Sequence, residues 1–208
     1  MRIFPDSISC LVLLLLSDLI GLSLSRPAHS HAHSPALCTL FISMVQHVDK
    51  LINLSRKLHD LSDVELTLVS GANHRLDSLL EIHHTAAAFS SMKINETLSQ
   101  LHNFSESYRF HMDWLNTARE NVSLPSQPTE GASRHLQQLT HLLDSSLKQL
   151  QEEVPQATLP SLPSLPLVSS AFDALEFSVE ISGKLRIFSL WMKRSIRFIQ
   201  KRSGCPRR

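Results

Sequence analysis

Glycine is scarce in this chain, 5 residues in 208, and tyrosine occurs once. So few glycines leave few places for the positive-φ turns of tightly folded β architectures, and the composition suits an all-helical domain. No Gly-x-Ser-x-Gly, His-Glu-x-x-His or phosphate-loop pattern occurs, which argues against the common hydrolases, metalloproteases and nucleotide-dependent enzymes. The adjacent His83 and His84 lack a companion ligand set, so no metal site or other cofactor is expected. An excess of charge of one sign is also missing: the formal net charge is +1, and nothing global points to nucleic acid or an anionic membrane.

One apolar run does exist, at the very start. Arg2 precedes a nearly continuous apolar stretch over residues 8–16, Asp18 interrupts it, and Ser23-Leu24-Ser25 offers the small residues a signal peptidase reads. The run is too short to span a bilayer, and no later segment is apolar enough for membrane insertion. Residues 1–25 are therefore expected to be a signal peptide, and residues 26–208 a secreted, extracellular single domain of about 180 residues. Removing the signal also removes Cys10, leaving Cys38 and Cys205 in an oxidising compartment. An even pair at opposite ends suggests one bridge closing nearly the whole chain, worth about 4 to 5 kcal/mol by loop-closure entropy. Two unpaired thiols or an intermolecular bridge are the alternatives. Secretion also gives meaning to four glycosylation acceptors, Asn53, Asn95, Asn103 and Asn121, each followed two residues later by Ser or Thr.

Residues 26–34 form a Pro, His and Ser segment without core pattern, read as a disordered, solvated tail. A first helix opens with Ser34 as cap and Pro35 at its first position, with Leu37, Leu40, Phe41, Met44, Val48, Leu51 and Leu58 on the core side. The helical period is lost for some 30 residues after Leu61 and returns with Ile94, Leu98, Leu101, Phe104, Tyr108, Met112 and Leu115, ending near Glu120. Phe110 and Trp114 lie off that stripe and are expected to pack beneath the long connection. A shorter connection over residues 121–131 leads to a third helix, with Leu136, Leu139, Leu143, Leu147, Leu150 and Val154 inward. Pro155, Pro160, Pro163 and Pro166 then exclude helix until Ser169 or Ser170 caps the last one.

That last helix, over residues 172–201, has two usable faces. Ala174, Phe177, Ile181, Leu185, Phe188, Met192, Ile196 and Ile199 make the core stripe, while Phe172, Leu175, Val179, Arg186, Leu190, Arg194, Arg197 and Lys201 fall on the opposite side. From Lys184 onward there is no Asp or Glu, so the outward end is basic. Connection lengths then give the topology. A helix of about 24 residues is roughly 36 Å long, so consecutive parallel helices need a connection that runs back along the bundle, whereas antiparallel neighbours need only a turn. Long, short, long specifies a four-helix up-up-down-down bundle with two long crossover connections, the arrangement of long-chain cytokines. It also brings Cys38 and Cys205 to the same end.

With those elements in place, the chain resembles the interleukin-11 cytokines of the wider interleukin-6 group. The resemblance is carried by His74-Arg75-Leu76-Asp77-Ser78-Leu79, by His111-Met112-Asp113-Trp114-Leu115-Asn116-Thr117-Ala118, by Ser169-Ser170-Ala171-Phe172 and by Leu190-Trp191-Met192-Lys193-Arg194. It implies a non-enzymatic ligand, monomeric before receptor engagement, whose partners are a specific alpha receptor and the shared interleukin-6 signal transducer subunit. In the family the first receptor site lies at the end of the fourth helix and the adjoining crossover, and Arg194 matches its arginine. Arg197 and Lys201 join it by helix geometry, and Leu76, Asp77 and Leu79 are its crossover candidates. Phe172 stands where the family has the tryptophan that contacts the transducer, keeping the aromatic ring without the indole donor. Mammalian members are strongly basic and lack mature cysteines. This near-neutral chain with its cysteine pair therefore falls on a divergent, non-mammalian vertebrate branch.

The competing reading is a secreted amphipathic-helix lipid binder, against which stand the lack of a repeat and the unequal connections. A related cytokine of the leukaemia-inhibitory-factor or ciliary-neurotrophic kind would keep the fold and change the companion receptor. Intact mass before and after reduction, with thiol alkylation, separates the cysteine alternatives. A monomer that takes up alkylating agent at Cys38 and Cys205 only after reduction is the outcome expected for an intramolecular bridge.

Overall fold

In the computed structural model, the described residues are 35–62, 64–66, 76–79, 82, 93–151 and 164–206. The expected signal peptide, the tail with its capping Ser34, the His83-His84 pair and the three prolines at 155, 160 and 163 lie outside them. Four long helices follow one another: α1 (Pro35–Ser55), α2 (Ile94–Asn121), α3 (Gln127–Gln149) and α4 (Ala171–Arg202). Among the described residues there is no strand. No helix there is long and apolar enough to cross a membrane.

Each helix exists where its apolar period runs. The inward residues of α1, Leu37, Phe41, Met44, Val48 and Leu51, are all buried, and so are Leu136, Leu139, Leu143 and Leu147 of α3. Leu58 is buried too, although α1 stops at Ser55 and Leu58 belongs to the turn beyond. The third helix opens earlier than its leucine stripe suggests, at Gln127, because Pro128 sits in the first turn, where its missing N–H has no intrahelical partner to lose. The start of α4 is set by Ser170. Its Oγ accepts from Asp173 N at 3.1 Å while the Asp173 carboxylate accepts from Ser170 N at 3.1 Å, a reciprocal capping box.

The end of α4 is closed by a different device. Gly204 has φ +69°, its N–H donates to Lys201 O at 3.3 Å, and Cys205 N–H donates to Gln200 O at 2.9 Å. This paired 5→2 and 6→1 pattern needs a left-handed residue that only glycine adopts without strain. It turns the chain back so that Cys205 reaches α1, where it is bonded to Cys38 with the Cα atoms 5.4 Å apart. The pair closes 167 residues of chain.

The core lies between all four helices, α1 packing on α3 and α4, and α2 packing on α3 and α4. Along α1 and α4, Cys38 meets Cys205, Asp49 meets Lys193, and Ser55 O accepts from Ser182 Oγ at 2.6 Å. Along α2 and α3, Asn116 Oδ1 accepts from Thr129, Asp113 from Ser133, and Asp144 lies 2.8 Å from His102. His47 meets His135, and Leu54 meets Gly131, between α1 and α3. Tyr108 stacks on Phe188 at 4.6 Å, Phe104 meets Trp191 edge-on at 5.6 Å, and Trp114 meets Phe177 at 5.1 Å, between α2 and α4. In every one of these pairs the residue numbers run in opposite senses. Trp114 is partly buried with its ring on Phe177 of α4, and Phe110 is half-exposed with its ring edge-on to His111; most of the long connection expected to cover them lies outside the described residues.

Away from the disulfide, the bundle is tied by a buried cation. Arg119, 4% exposed, donates from Nη1 to Leu58 O at 2.8 Å and Ser178 Oγ at 2.7 Å, and from Nε to Pro125 O at 2.8 Å. Burial lowers its pKa, and among the described residues no carboxylate is bonded to it. Arg119→Met keeps the aliphatic stem and strands these acceptors. It is expected to lower stability by about 2 to 4 kcal/mol, read from the urea midpoint. A loss within a few tenths would assign the guanidinium no structural part.

Candidate functional site

Helix α4 carries the exposed features. Phe172 is 58% exposed in its first turn, Ile187 56% and Leu190 39% further along, with Arg186, Arg194, Arg197 and Lys201 on the surface. Phe172 stands beside the capping box, which fixes the direction of that turn. The carboxyl of Asp173 is held below its usual range by hydrogen bonds from Ser169 and Ser170. Arg194, Arg197 and Lys201 recur at intervals of three and four, so they share one face, and none is bonded to a carboxylate among the described residues. Lys193, next to Arg194, points instead to Asp49 on α1. Arg194 lies 22 residues beyond Phe172, about 33 Å along the helix. One rigid rod thus carries an aromatic patch and a cationic patch that no single contact of ordinary size spans.

The crossover residues fare differently. Leu76 and Leu79 are each 1% exposed and belong to the core, so they offer a partner no side-chain surface, and of the three candidates only Asp77 is exposed. The reason is a clasp on their backbone. Leu76 N donates to Glu180 Oε1 at 3.3 Å and Leu76 O accepts from Lys184 Nζ at 3.0 Å, while Glu180 and Lys184 pair at 3.0 Å. Ser78 Oγ sits 2.9 Å from His111 Nε2, whose other nitrogen meets Ser107 O at 2.7 Å. Leu79 N closes the turn on Leu76 O at 3.1 Å. The clasp fixes Leu76 against residues 10 and 14 positions before Arg194, about 15 to 20 Å back along α4. The segment carrying Asp77 therefore attaches to the middle of α4 and not to its basic end.

Of the four glycosylation acceptors, Asn53, Asn103 and Asn121 are exposed and Asn95 is half-buried. All four stand on α1 or α2. Among the described residues no group of three His, Cys, Asp or Glu side chains could hold a metal ion. The exposed side chains named on α4 are apolar groups and cations.

Comparison with known families gives this surface its context. A sequence model described as Interleukin 11 matches residues 27–203. The chain belongs to the interleukin 11 family. No curated protein matches it closely enough to add a second relative. The family is one of cytokines and not of enzymes, and its members act through cytokine receptors.

Sequence reasoning missed the clasp and the exposure of Ile187. Glu180 and Lys184 carry a signal that was available, since they are charged residues at i, i+4 close to the core stripe. The clasp also has a pH signature. Burial first, with the Lys184 ammonium adding to it, pushes the His111 imidazole below its usual 6.5, against the pull of the Ser107 carbonyl and Glu180. His47 and His135 are lowered in the same sense, each mainly by burial. Their Nδ1 atoms lie 3.1 Å apart, a contact that needs one nitrogen unprotonated. For such groups the unfolded chain binds protons more readily, so their stabilisation is complete above the unfolded pKa and is lost as the pH falls through the folded one. The urea midpoint is expected to fall between about pH 7.5 and about pH 5.5, and less steeply in His111→Gln. An identical slope in that variant would remove His111 from the account.

Proposed function

We propose that the chain is a secreted long-chain cytokine of up-up-down-down topology that binds an interleukin-11-type alpha receptor and then recruits the shared interleukin-6 signal transducer subunit. The opposed residue order in the four packed helix pairs, α1 and α2 each running antiparallel to α3 and α4, supports the topology. The bridge between Cys38 and Cys205 supports passage through an oxidising compartment, and so the signal peptide at residues 1–25. The observation that carries the receptor reading is the outward face of α4. It presents Phe172 at one end and the cations Arg194, Arg197 and Lys201 at the other, on a helix whose inner face is locked in the core.

In this reading Arg194 is the centre of alpha-receptor capture, flanked by Arg197 and Lys201, while Asp77, held at the middle of α4, stands apart from that centre. Phe172 is the transducer anchor. An exposed aromatic ring on a rigid turn loses little conformational entropy on burial, and it is the kind of residue in which binding energy concentrates. The bundle holds the two patches at a fixed separation, so one ligand draws two receptor chains together outside the cell and starts kinase signalling inside. The ligand is monomeric until then and takes no cofactor.

Two variants test the division of labour, both measured by surface binding to the species-matched alpha receptor with and without soluble transducer. Phe172→Ala is expected to bind the alpha receptor as the parent does and to lose transducer recruitment by about a hundredfold or more. Arg194→Glu is expected to weaken alpha-receptor capture by about tenfold or more through charge reversal at the contact. Equal loss at both steps in both variants would refute separate patches.

A further inference from the structure

The four glycosylation acceptors share one three-residue pattern; the helical period favours Asn53 and Asn103, which fall opposite the apolar stripes of their helices, and the fold ranks the four differently. Transfer of an N-glycan requires the Asn amide and the hydroxyl two residues on to be presented together, in an extended or turned segment that a transferase can grip. In a helix, side chains at i and i+2 diverge by about 200° around the axis, so a helical acceptor cannot make that presentation. Burial adds a second obstacle at three of the four. Ser55, partner of Asn53, is 0% exposed, donates to Ile52 O at 2.9 Å, and has its own carbonyl held by Ser182. Ser105, partner of Asn103, is 0% exposed and donates to Leu101 O at 2.8 Å in the middle of α2. Thr97, partner of Asn95, is 3% exposed and donates to Lys93 O at 2.7 Å.

Asn121 differs on every count. It is the last residue of α2 and is exposed, and Ser123 is exposed beyond the helix end in a left-handed conformation, φ +58°. The segment is held by the turn bonds from Val122 N to Arg119 O at 3.3 Å, Ser123 N to Glu120 O at 3.0 Å and Leu124 N to Arg119 O at 2.9 Å, with Arg119 Nε donating to Pro125 O at 2.8 Å just beyond it. Drawing it out breaks a helix end and uncovers no core hydroxyl.

We propose that Asn121 is the acceptor that the folded protein still offers, whereas Asn53, Asn95 and Asn103 accept a glycan only before the helices close. The donor is a lipid-pyrophosphate-linked oligosaccharide. The Asn121 Nδ2 lone pair forms a bond to the anomeric carbon, the bond from that carbon to the pyrophosphate oxygen breaks with its electron pair leaving on the pyrophosphate, and the amide proton passes to a transferase carboxylate. Glycans at the three helical positions thus record that transfer outran folding, and their occupancy falls when folding is fast. The inference rests on the secretory reading for its setting in the cell, and its chemistry is testable apart from it.

The experiment incubates unglycosylated residues 26–208, refolded with the Cys38–Cys205 bridge intact, with purified eukaryotic oligosaccharyltransferase and its lipid-linked donor. The same chain, reduced, alkylated and held unfolded in mild denaturant, is run in parallel, and glycopeptides are counted by mass spectrometry. The folded chain is expected to be modified at Asn121 at least tenfold more than at any other acceptor, and the unfolded chain at all four. Ser123→Ala is expected to abolish transfer at Asn121 and leave helicity unchanged. The proposal is overturned if the folded chain accepts at Asn53 or Asn103 as readily as the unfolded chain does, if Asn121 is modified only after unfolding, or if the unfolded chain accepts nowhere. Failure of the secretory reading appears separately, as retention of the full-length chain inside expressing cells, and leaves the purified-component result as it stands.

Discussion

A guanidinium held by uncharged acceptors closes one end of this bundle. Arg119 is taken out of water and, among the described residues, compensated by two backbone carbonyls and a serine hydroxyl, contributed by the turn after α1, the connection between α2 and α3, and the first half of α4. A buried charge is tolerated only when its hydrogen-bonding capacity is filled, and charge-assisted bonds of this kind are the strong ones. Three separate pieces of chain must therefore arrive together for the cation to be stable. The requirement makes Arg119 a specification as much as a bond: a bundle with a different register at that end would leave the charge unsolvated.

The remaining polar contacts extend the same logic inward. Glu180 and Lys184 sit at the edge of the core, pair with each other, and each also bonds the backbone of Leu76. His111 receives Ser78 beside them. Residues 76–79 are thereby fixed by their main chain, and Leu76 and Leu79 can be buried because Leu76 N, Leu76 O and Leu79 N have partners. Helix α4 contributes to every layer of this arrangement. Its inner face fills the core, its flank clasps the crossover, and its outer face is left to carry Phe172, Ile187, Leu190 and the basic end.

How much of this could be read in advance depends on how each residue signals. The helices were legible because Leu, Phe and Met recur with the helical period, and the outward placement of Phe172, Arg194, Arg197 and Lys201 follows from the same period. The place of the two cysteines at opposite ends of the domain anticipated the meeting of Cys38 and Cys205. Boundaries were less legible where a residue acts against its usual sense. Pro128 reads as a connection and serves as a first-turn residue. Leu76 and Leu79 have no period, so nothing in their spacing marks them as core, and they were expected at the surface. Arg119 is the hardest case, since arginine is nearly always exposed and only the three-dimensional meeting of three acceptors explains its burial.

The two ends of the rod differ in what can undo them. At the end carrying the cationic patch, the last turn of α4 is returned to α1 by Gly204 and the cysteine pair, a covalent closure that a thiol reductant removes. At the end nearer Phe172, closure is by Arg119 and the capping box, which a reductant does not touch. Chemical environment can thus address the two patches one at a time. A reducing medium frays the cationic terminus and leaves the aromatic turn in place, so the molecule has a built-in polarity in how it fails, running along the axis that separates its two surfaces.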